Sequence, residues 1–249
     1  MPAIDREGVR IHYSEHGPAD GRPALLLSHG FSASTAMWEP NLPALAERHR
    51  VLAWDMRGHG SSGAPQDPAL YSHELSVGDM AAVLDAAAVD RAVLVGMSLG
   101  GYLSLAFHVR HPERVAGLVL VDTGPGYRCD DERAAWNAFV ERTAADLEER
   151  GEAALSTSRE VSSRDTGALA RAARGIMAQH DASVIESLPS VAVPTLVVVG
   201  AEDAPFLRAA DAMAERIPGA RKLVIEGADH AANMDDPEAF GAAVLELLA

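Results

Sequence analysis

Short, nearly all-apolar runs recur along the chain at Ala24–Leu27, Val51–Trp54, Ala92–Val95, Leu118–Val121, Leu196–Val199 and Leu223–Ile225. They lack the apolar–polar alternation of a half-exposed strand. This predicts strands buried on both faces of a parallel sheet. Longer stretches of helical pattern separate them at Pro40–His49, Glu74–Ala88, Gly100–His111, Phe206–Arg216 and Pro237–Leu248. Alternating strands and helices with right-handed crossovers give a doubly wound α/β sheet with helices on both sides. Upstream, Val9–Tyr13 is expected to form an antiparallel hairpin with the segment that follows the turn residues Gly17-Pro18-Ala19-Asp20-Gly21.

One interval breaks this rhythm. Residues 123–194 contain no convincing strand and are expected to form helices over Asp131–Arg150, Gly151–Ser158 and Thr166–His180. Some seventy residues of patterned helix between two buried strands is too ordered for a linker. The expected organisation is a core of residues 1–122 and 195–249, with 123–194 as a lid over the strand ends.

Composition narrows the function classes. With 48% hydrophobic and 23% charged residues, the 249-residue chain is neither disordered nor fibrous. A net charge of −15 repels phosphate backbones and anionic lipid surfaces, so neither nucleic acid nor a membrane is an expected partner. Cys129 is the only cysteine, which excludes an intrachain disulfide and a four-cysteine zinc site. The polar N-terminus has no apolar targeting region, and no apolar run approaches the roughly 20 residues of a membrane span. A soluble cytoplasmic protein is expected.

The chemistry is expected on the turns after the strands. Strand Ala92–Val95 runs into Gly96-Met97-Ser98-Leu99-Gly100, and a helix begins at once. Gly-x-Ser-x-Gly between strand and helix is the nucleophile-elbow arrangement, in which a tight turn pushes the serine out at the C-terminal edge of the sheet. A serine hydroxyl needs a base, and that base needs a carboxylate to orient it. His230 follows the last predicted strand, and Asp203 follows strand Thr195–Val199, both at the same sheet edge as Ser98. Asp122, at the end of the preceding strand, is a rival for the acid. The backbone amides of Leu99 and Phe31 are the expected oxyanion donors. His29, in Ser28-His29-Gly30-Phe31, is read as a buried structural hydrogen-bonder. Asp55 and Arg57, in Asp55-Met56-Arg57-Gly58-His59-Gly60-Ser61-Ser62, are expected to brace their loop. No dinucleotide fingerprint, phosphate-binding loop or His-Glu-x-x-His occurs, so no cofactor or metal is expected.

Taken in order, His29-Gly30-Phe31, Asp55-Met56-Arg57-Gly58-His59-Gly60-Ser61, Gly96-Met97-Ser98-Leu99-Gly100-Gly101, Asp203 and His230 resemble the α/β-hydrolase superfamily from about Val9 to Leu248. The resemblance implies a mostly parallel, twisted, eight-stranded sheet with helices on both faces and a small helical cap. Met37-Trp38, Tyr71-Ser72 and Asp236-Pro237-Glu238-Ala239-Phe240 are similar to 3-oxoadipate enol-lactonase-like members. Ser32 stands where haloperoxidase relatives tend to carry proline. Ser98 stands where epoxide hydrolases and haloalkane dehalogenases use aspartate.

These readings converge on a serine hydrolase of small carboxylic esters or lactones with Ser98, Asp203 and His230 as its triad. The same triad also serves C–C bond or thioester cleavage, and a ligand receptor on a hydrolase scaffold is the alternative of a different class. Trp38, Met97, Tyr102, Trp136 and Phe206 are candidate substrate contacts, with Phe139, Met177 and Met234 as further apolar candidates. Arg133, Arg142, Arg159 and Arg164 are the cap cations that a carboxylated lactone would call on, although solvent is their expected surrounding.

Overall fold

The computed structural model describes residues 2–249. Its sheet has eight strands: β1 (Ala3–Arg6), β2 (Val9–His16), β3 (Ala24–Ser28), β4 (Val51–Trp54), β5 (Ala92–Met97), β6 (Val115–Val121), β7 (Thr195–Gly200) and β8 (Arg221–Ile225). The strand order is β1-β2-β4-β3-β5-β6-β7-β8, with every pairing from β4 to β8 parallel. The α-helices are α1 (Leu42–Ala46), α2 (His73–Ala86), α3 (Leu99–Arg110), α4 (Asp130–Arg150), α5 (Thr166–Ala172), α6 (Ser183–Ser187), α7 (Ala204–Arg216), α8 (Ala232–Asp235) and α9 (Pro237–Leu247).

The all-apolar strands follow from burial on two faces. Successive side chains of a strand point to opposite faces. Leu26, Leu52, Leu94, Leu118 and Val197 join a core with Val83 of α2, Leu103 of α3 and Met213 of α7. Their neighbours Leu25, Val51, Val93, Val119 and Leu196 join a second core with Leu45 of α1 and Phe240 of α9. Both halves of the alternation are therefore dry.

The leading hairpin is corrected. β2 does not pair with β3; it pairs antiparallel with β1 on one side and with β4 on the other. β4 intervenes because the crossover after β3 returns the chain to the outer side of β3. β1 itself has the half-exposed pattern of an edge strand and no apolar run.

The segment between β6 and β7 is helical, as expected, with two differences. Beyond Arg150 only a single 3₁₀ turn forms, over Gly151–Ala154. The expected Thr166–His180 helix is α5 followed by a π-helical turn over Ala173–Met177. That wider turn aims the Ile176 carbonyl at His73 Nε2 (2.6 Å) and the Met177 carbonyl at Trp136 Nε1 (2.8 Å). Along α4, Trp136, Val140, Ala144 and Leu147 recur at helical spacing and pack on Leu169, Ala173 and Phe31.

Arg57 braces its loop by a bidentate pair with Asp79 of α2 (2.7 and 2.9 Å), both side chains being fully buried. Cutting one partner of such a pair strands a buried charge. Asp79→Ala is expected to lower unfolding stability by about 3–5 kcal/mol, as measured by urea denaturation.

Candidate active site

Strand β5 ends at Met97, and α3 starts at Leu99 with only Ser98 between them. Ser98 sits at φ 52°, ψ −116°, a left-handed conformation that costs a non-glycine residue about 1–3 kcal/mol. The turn is held from several sides. Ser98 N–H donates to the Val121 carbonyl (2.9 Å), and the Ser98 carbonyl accepts from Thr123 Oγ1 (2.6 Å). A Cβ on Gly96 would overlap the Gly100 carbonyl, and one on Gly100 would overlap the Ser28 carbonyl, so both positions require glycine.

His230 lies on the loop between β8 and α8, and Asp203 stands just beyond β7 at the start of α7, whose N–H groups its side chain does not cap. The structure brings the three residues into one chain. His230 Nε2 is 3.1 Å from Ser98 Oγ, and His230 Nδ1 is 2.9 Å from Asp203 Oδ2. A carboxylate can only accept, so Nδ1 carries the proton and Nε2 presents its lone pair to the Ser98 hydroxyl. Phe206, in the first turn of α7, stacks on the imidazole at 4.8 Å between centroids and 24° between planes.

Two opposing effects act on His230. Burial pushes its pKa down, but the hydrogen bond and charge of Asp203, with the charges of Asp122 and Glu160, outweigh this and raise it. Asp122 does not take the rival role. Its carboxylate accepts two backbone N–H groups, from Gly200 and Ala232, instead of bonding to the histidine.

Phe31 and Leu99 line the same cleft as Ser98. Neither backbone N–H has a hydrogen-bond acceptor among the described residues. The Phe31 loop is held on both sides. His29 is buried and neutral in character, its pKa lowered by burial against the pull of Asp55. Its Nδ1–H donates to the Gly30 carbonyl (2.7 Å) and its Nε2 accepts from Met56 N–H (3.0 Å). On the other side, the Ser32 carbonyl accepts from the N–H groups of Ser162 and Ser163. Ser163 Oγ adds a bond to the Ala33 carbonyl and receives one from Gly60 N–H.

The cleft encloses about 420 Å³ beside Ser98. Tyr102, Trp136, Phe206 and Met177 line it, as do Tyr127 and Ile185, which sequence reasoning missed. Trp38 and Met97 do not. Trp38 is fully buried against Phe240, and Met97 points into the core on the α1–α9 face, where Met234 also packs. Phe139 faces solvent. None of the four arginines named from residues 123–194 lines the cleft: Arg133 bonds to the Tyr127 and Arg128 carbonyls and Asp130, Arg159 pairs with Asp235, Arg164 pairs with Glu152, and Arg142 is exposed. Arg208 of α7 and Glu132 of α4 are its charged lining residues. Among the described residues no group of three or more His, Cys, Asp or Glu is placed to hold a metal ion, and no helix is long and apolar enough to cross a membrane.

Residues 23–174 match the alpha/beta hydrolase fold family. The chain belongs to the α/β-hydrolase family. Over 131 residues it is 46% identical to a Variovorax paradoxus protein that bears the name carbamate hydrolase RutD, a stretch covering 50% of this chain and 48% of that protein. The chain thus spans about half the length of that relative. It is 27% identical to 3-oxoadipate enol-lactonase 2 of Acinetobacter baylyi over 97% of this chain and 94% of the relative. Among solved structures, the enol-lactonase of Burkholderia xenovorans LB400 superposes with a TM-score of 0.79, at 29% identity, covering 99% of each chain. The α/β-hydrolase architecture accounts for the elbow position: Ser98 stands at the C-terminal end of β5, one of the two central strands, where the helix dipole of α3 points at the cleft.

Proposed function

We propose that this α/β hydrolase cleaves small carboxylic esters or lactones through an acyl-enzyme on Ser98. The observation that carries the reading is the chain Ser98–His230–Asp203 beside two unpartnered backbone amides in one apolar cleft. The full-length likeness to enol-lactonases supports it.

In this mechanism Ser98 Oγ attacks the substrate carbonyl as its proton passes to His230 Nε2. Asp203 stabilises the imidazolium without taking its proton. The carbonyl oxygen becomes an oxyanion held by the Phe31 and Leu99 N–H groups. As the C–O bond to the leaving alcohol breaks, His230 returns the proton to that oxygen. Water then attacks the acyl-enzyme by the same route and releases the acid and free Ser98. Residues 123–194 act as the cap, with Trp136 and Met177 forming the roof over the acyl or alcohol group and Phe206 and Tyr102 forming the wall.

The test is rapid mixing with p-nitrophenyl acetate, butyrate and octanoate, together with labelling by an aryl fluorophosphonate. A burst of one p-nitrophenol per chain and one phosphonate on Ser98 are expected. A folded protein with neither burst nor label overturns the reading.

The pH dependence follows from His230. It must be neutral to accept the Ser98 proton, and its pKa is raised in the folded protein. The acid limb of kcat/KM is therefore expected above the ordinary imidazole value of about 6.5. Stability runs the other way. A raised folded-state pKa contributes stability that is complete below the unfolded value and is lost as pH rises through the folded one. Turnover should rise, and the His230 contribution to stability should fall, across the same window. Parallel pH series of kcat/KM and of urea midpoints check both signs.

A further inference from the structure

Asp122 is a buried carboxylate that the acyl-transfer steps do not use. It follows β6 directly, and its backbone adopts φ 44°, a left-handed conformation that aspartate and asparagine tolerate better than most side chains. Its N–H donates to the Val198 carbonyl of β7 (2.9 Å), which fixes the residue between β6 and β7. Its side chain is fully buried.

The two carboxylate oxygens reach in different directions. Oδ1 accepts from Gly200 N–H (2.8 Å), at the end of β7 and ahead of Asp203. Oδ2 accepts from Ala232 N–H (2.9 Å), just past His230 at the start of α8. The acid and the base sit on loops that leave different strands, and one side chain bonds to both loops. Asparagine has only one acceptor oxygen and would turn an NH₂ group against the second N–H. The position therefore calls for a carboxylate specifically.

Resting on the reading of Ser98, His230 and Asp203 as the triad, we infer that Asp122 is a positioning residue, a clamp that sets the separation of the acid and base loops and adds a second negative charge behind His230. Keeping a charge buried beside Asp203 has a cost. Burial, together with the Asp203 charge, raises the Asp122 pKa to about 6 against the lowering effect of its two amide donors and His230. A residue needed only to fill space would avoid that cost.

The test is Asp122→Asn assayed on a p-nitrophenyl ester, with kcat, KM and the pH profile measured on protein whose fold is verified by circular dichroism. The expected result is a fall in kcat of about ten- to a hundredfold, the size of effect that a small misplacement of catalytic groups produces. KM should stay essentially unchanged, and the acid limb of kcat/KM should move to lower pH because His230 loses one of the charges that raise its pKa. Combined with Asp203→Asn, the loss should be much less than the product of the two single losses, since both act through His230. An amide-to-ester exchange at Ala232, with lactic acid in place of alanine, removes only the base-side donor. It should lower kcat, and it carries the test if Asp122→Asn does not fold. Unchanged kcat and acid limb in folded Asp122→Asn, or unchanged kcat in the Ala232 ester, overturns the clamp while Ser98-dependent turnover stands. Wild-type protein without Ser98-dependent turnover or labelling overturns the triad reading and the clamp with it.

Discussion

Alanine at position 98 is expected to reduce ester turnover by about a millionfold, the loss seen when the nucleophile of a triad is removed. The residual rate would come from the Phe31 and Leu99 amides and from substrate binding. Affinity for an unreactive substrate analogue should persist, because the cleft walls come from many residues besides Ser98. The loss is specific to chemistry: Ser98→Ala leaves the elbow at φ 52° with a Cβ still attached, so its urea midpoint should match wild type. Ser98→Gly should be equally inactive yet more stable than Ser98→Ala by about 1 kcal/mol, because glycine relieves the left-handed strain. Turnover by Ser98→Ala within tenfold of wild type, in protein free of contaminating esterase, would place the reaction elsewhere.

Asp203→Asn is expected to lower kcat by about ten-thousandfold. An asparagine amide at 2.9 Å from His230 Nδ1 would donate to that nitrogen. The imidazole proton would then move to Nε2, which faces Ser98 Oγ at 3.1 Å. A base that already carries its proton cannot take one from serine. The nearby charge of Asp122 does not compensate, since both its oxygens are engaged by Gly200 and Ala232. KM should change little. Restoring the carboxylate as Asp203→Glu should recover part of kcat, whereas a purely structural role for Asp203 would make the longer side chain the worse replacement.

The legible parts of the fold were those whose physics repeats along the chain. Strands β3 to β7 are dry on two faces almost throughout and announce themselves as apolar runs, and β8 does so only through its last three residues, Leu223, Val224 and Ile225. β1 is a half-exposed edge strand of Ala3-Ile4-Asp5-Arg6, and nothing in its composition distinguishes it from a loop. The partner of β2 was misread because sequence proximity favours β3, whereas the sheet places β4 between them. Ser98, Asp203 and His230 were legible because turns after strands converge on one edge. Met97 was not, although its parity was available: it shares a face with Val93 and Val95, which point away from the α3 side. Trp38 was misplaced for a related reason, since adjacency to the oxyanion loop says nothing about which face a 3₁₀ turn presents. The bonds of Ser162 and Ser163 to residues 32–34 join positions about 130 apart, and no local pattern encodes such a meeting. Asp122 is legible as a carboxylate closing an apolar run, hence as a rival acid, but its two actual partners, Gly200 and Ala232, come only from the tertiary structure.

The packing of the elbow also divides the site into a half that evolution can alter and a half that it cannot. Gly96 and Gly100 are each filled to contact by another stretch of backbone, so any mutation there moves Ser98, the Leu99 N–H or the Ser28 strand end together. Such a position offers no gradual path: every single step is large and unfavourable. Trp136, Met177 and Ile185, by contrast, line the cleft from helical turns away from the elbow, and each can shrink, grow or change polarity without displacing it. Descendants of this chain would therefore diverge in what they cleave long before they diverge in how they cleave it. A library confined to those three helical positions is the natural starting point for redirecting its substrate range.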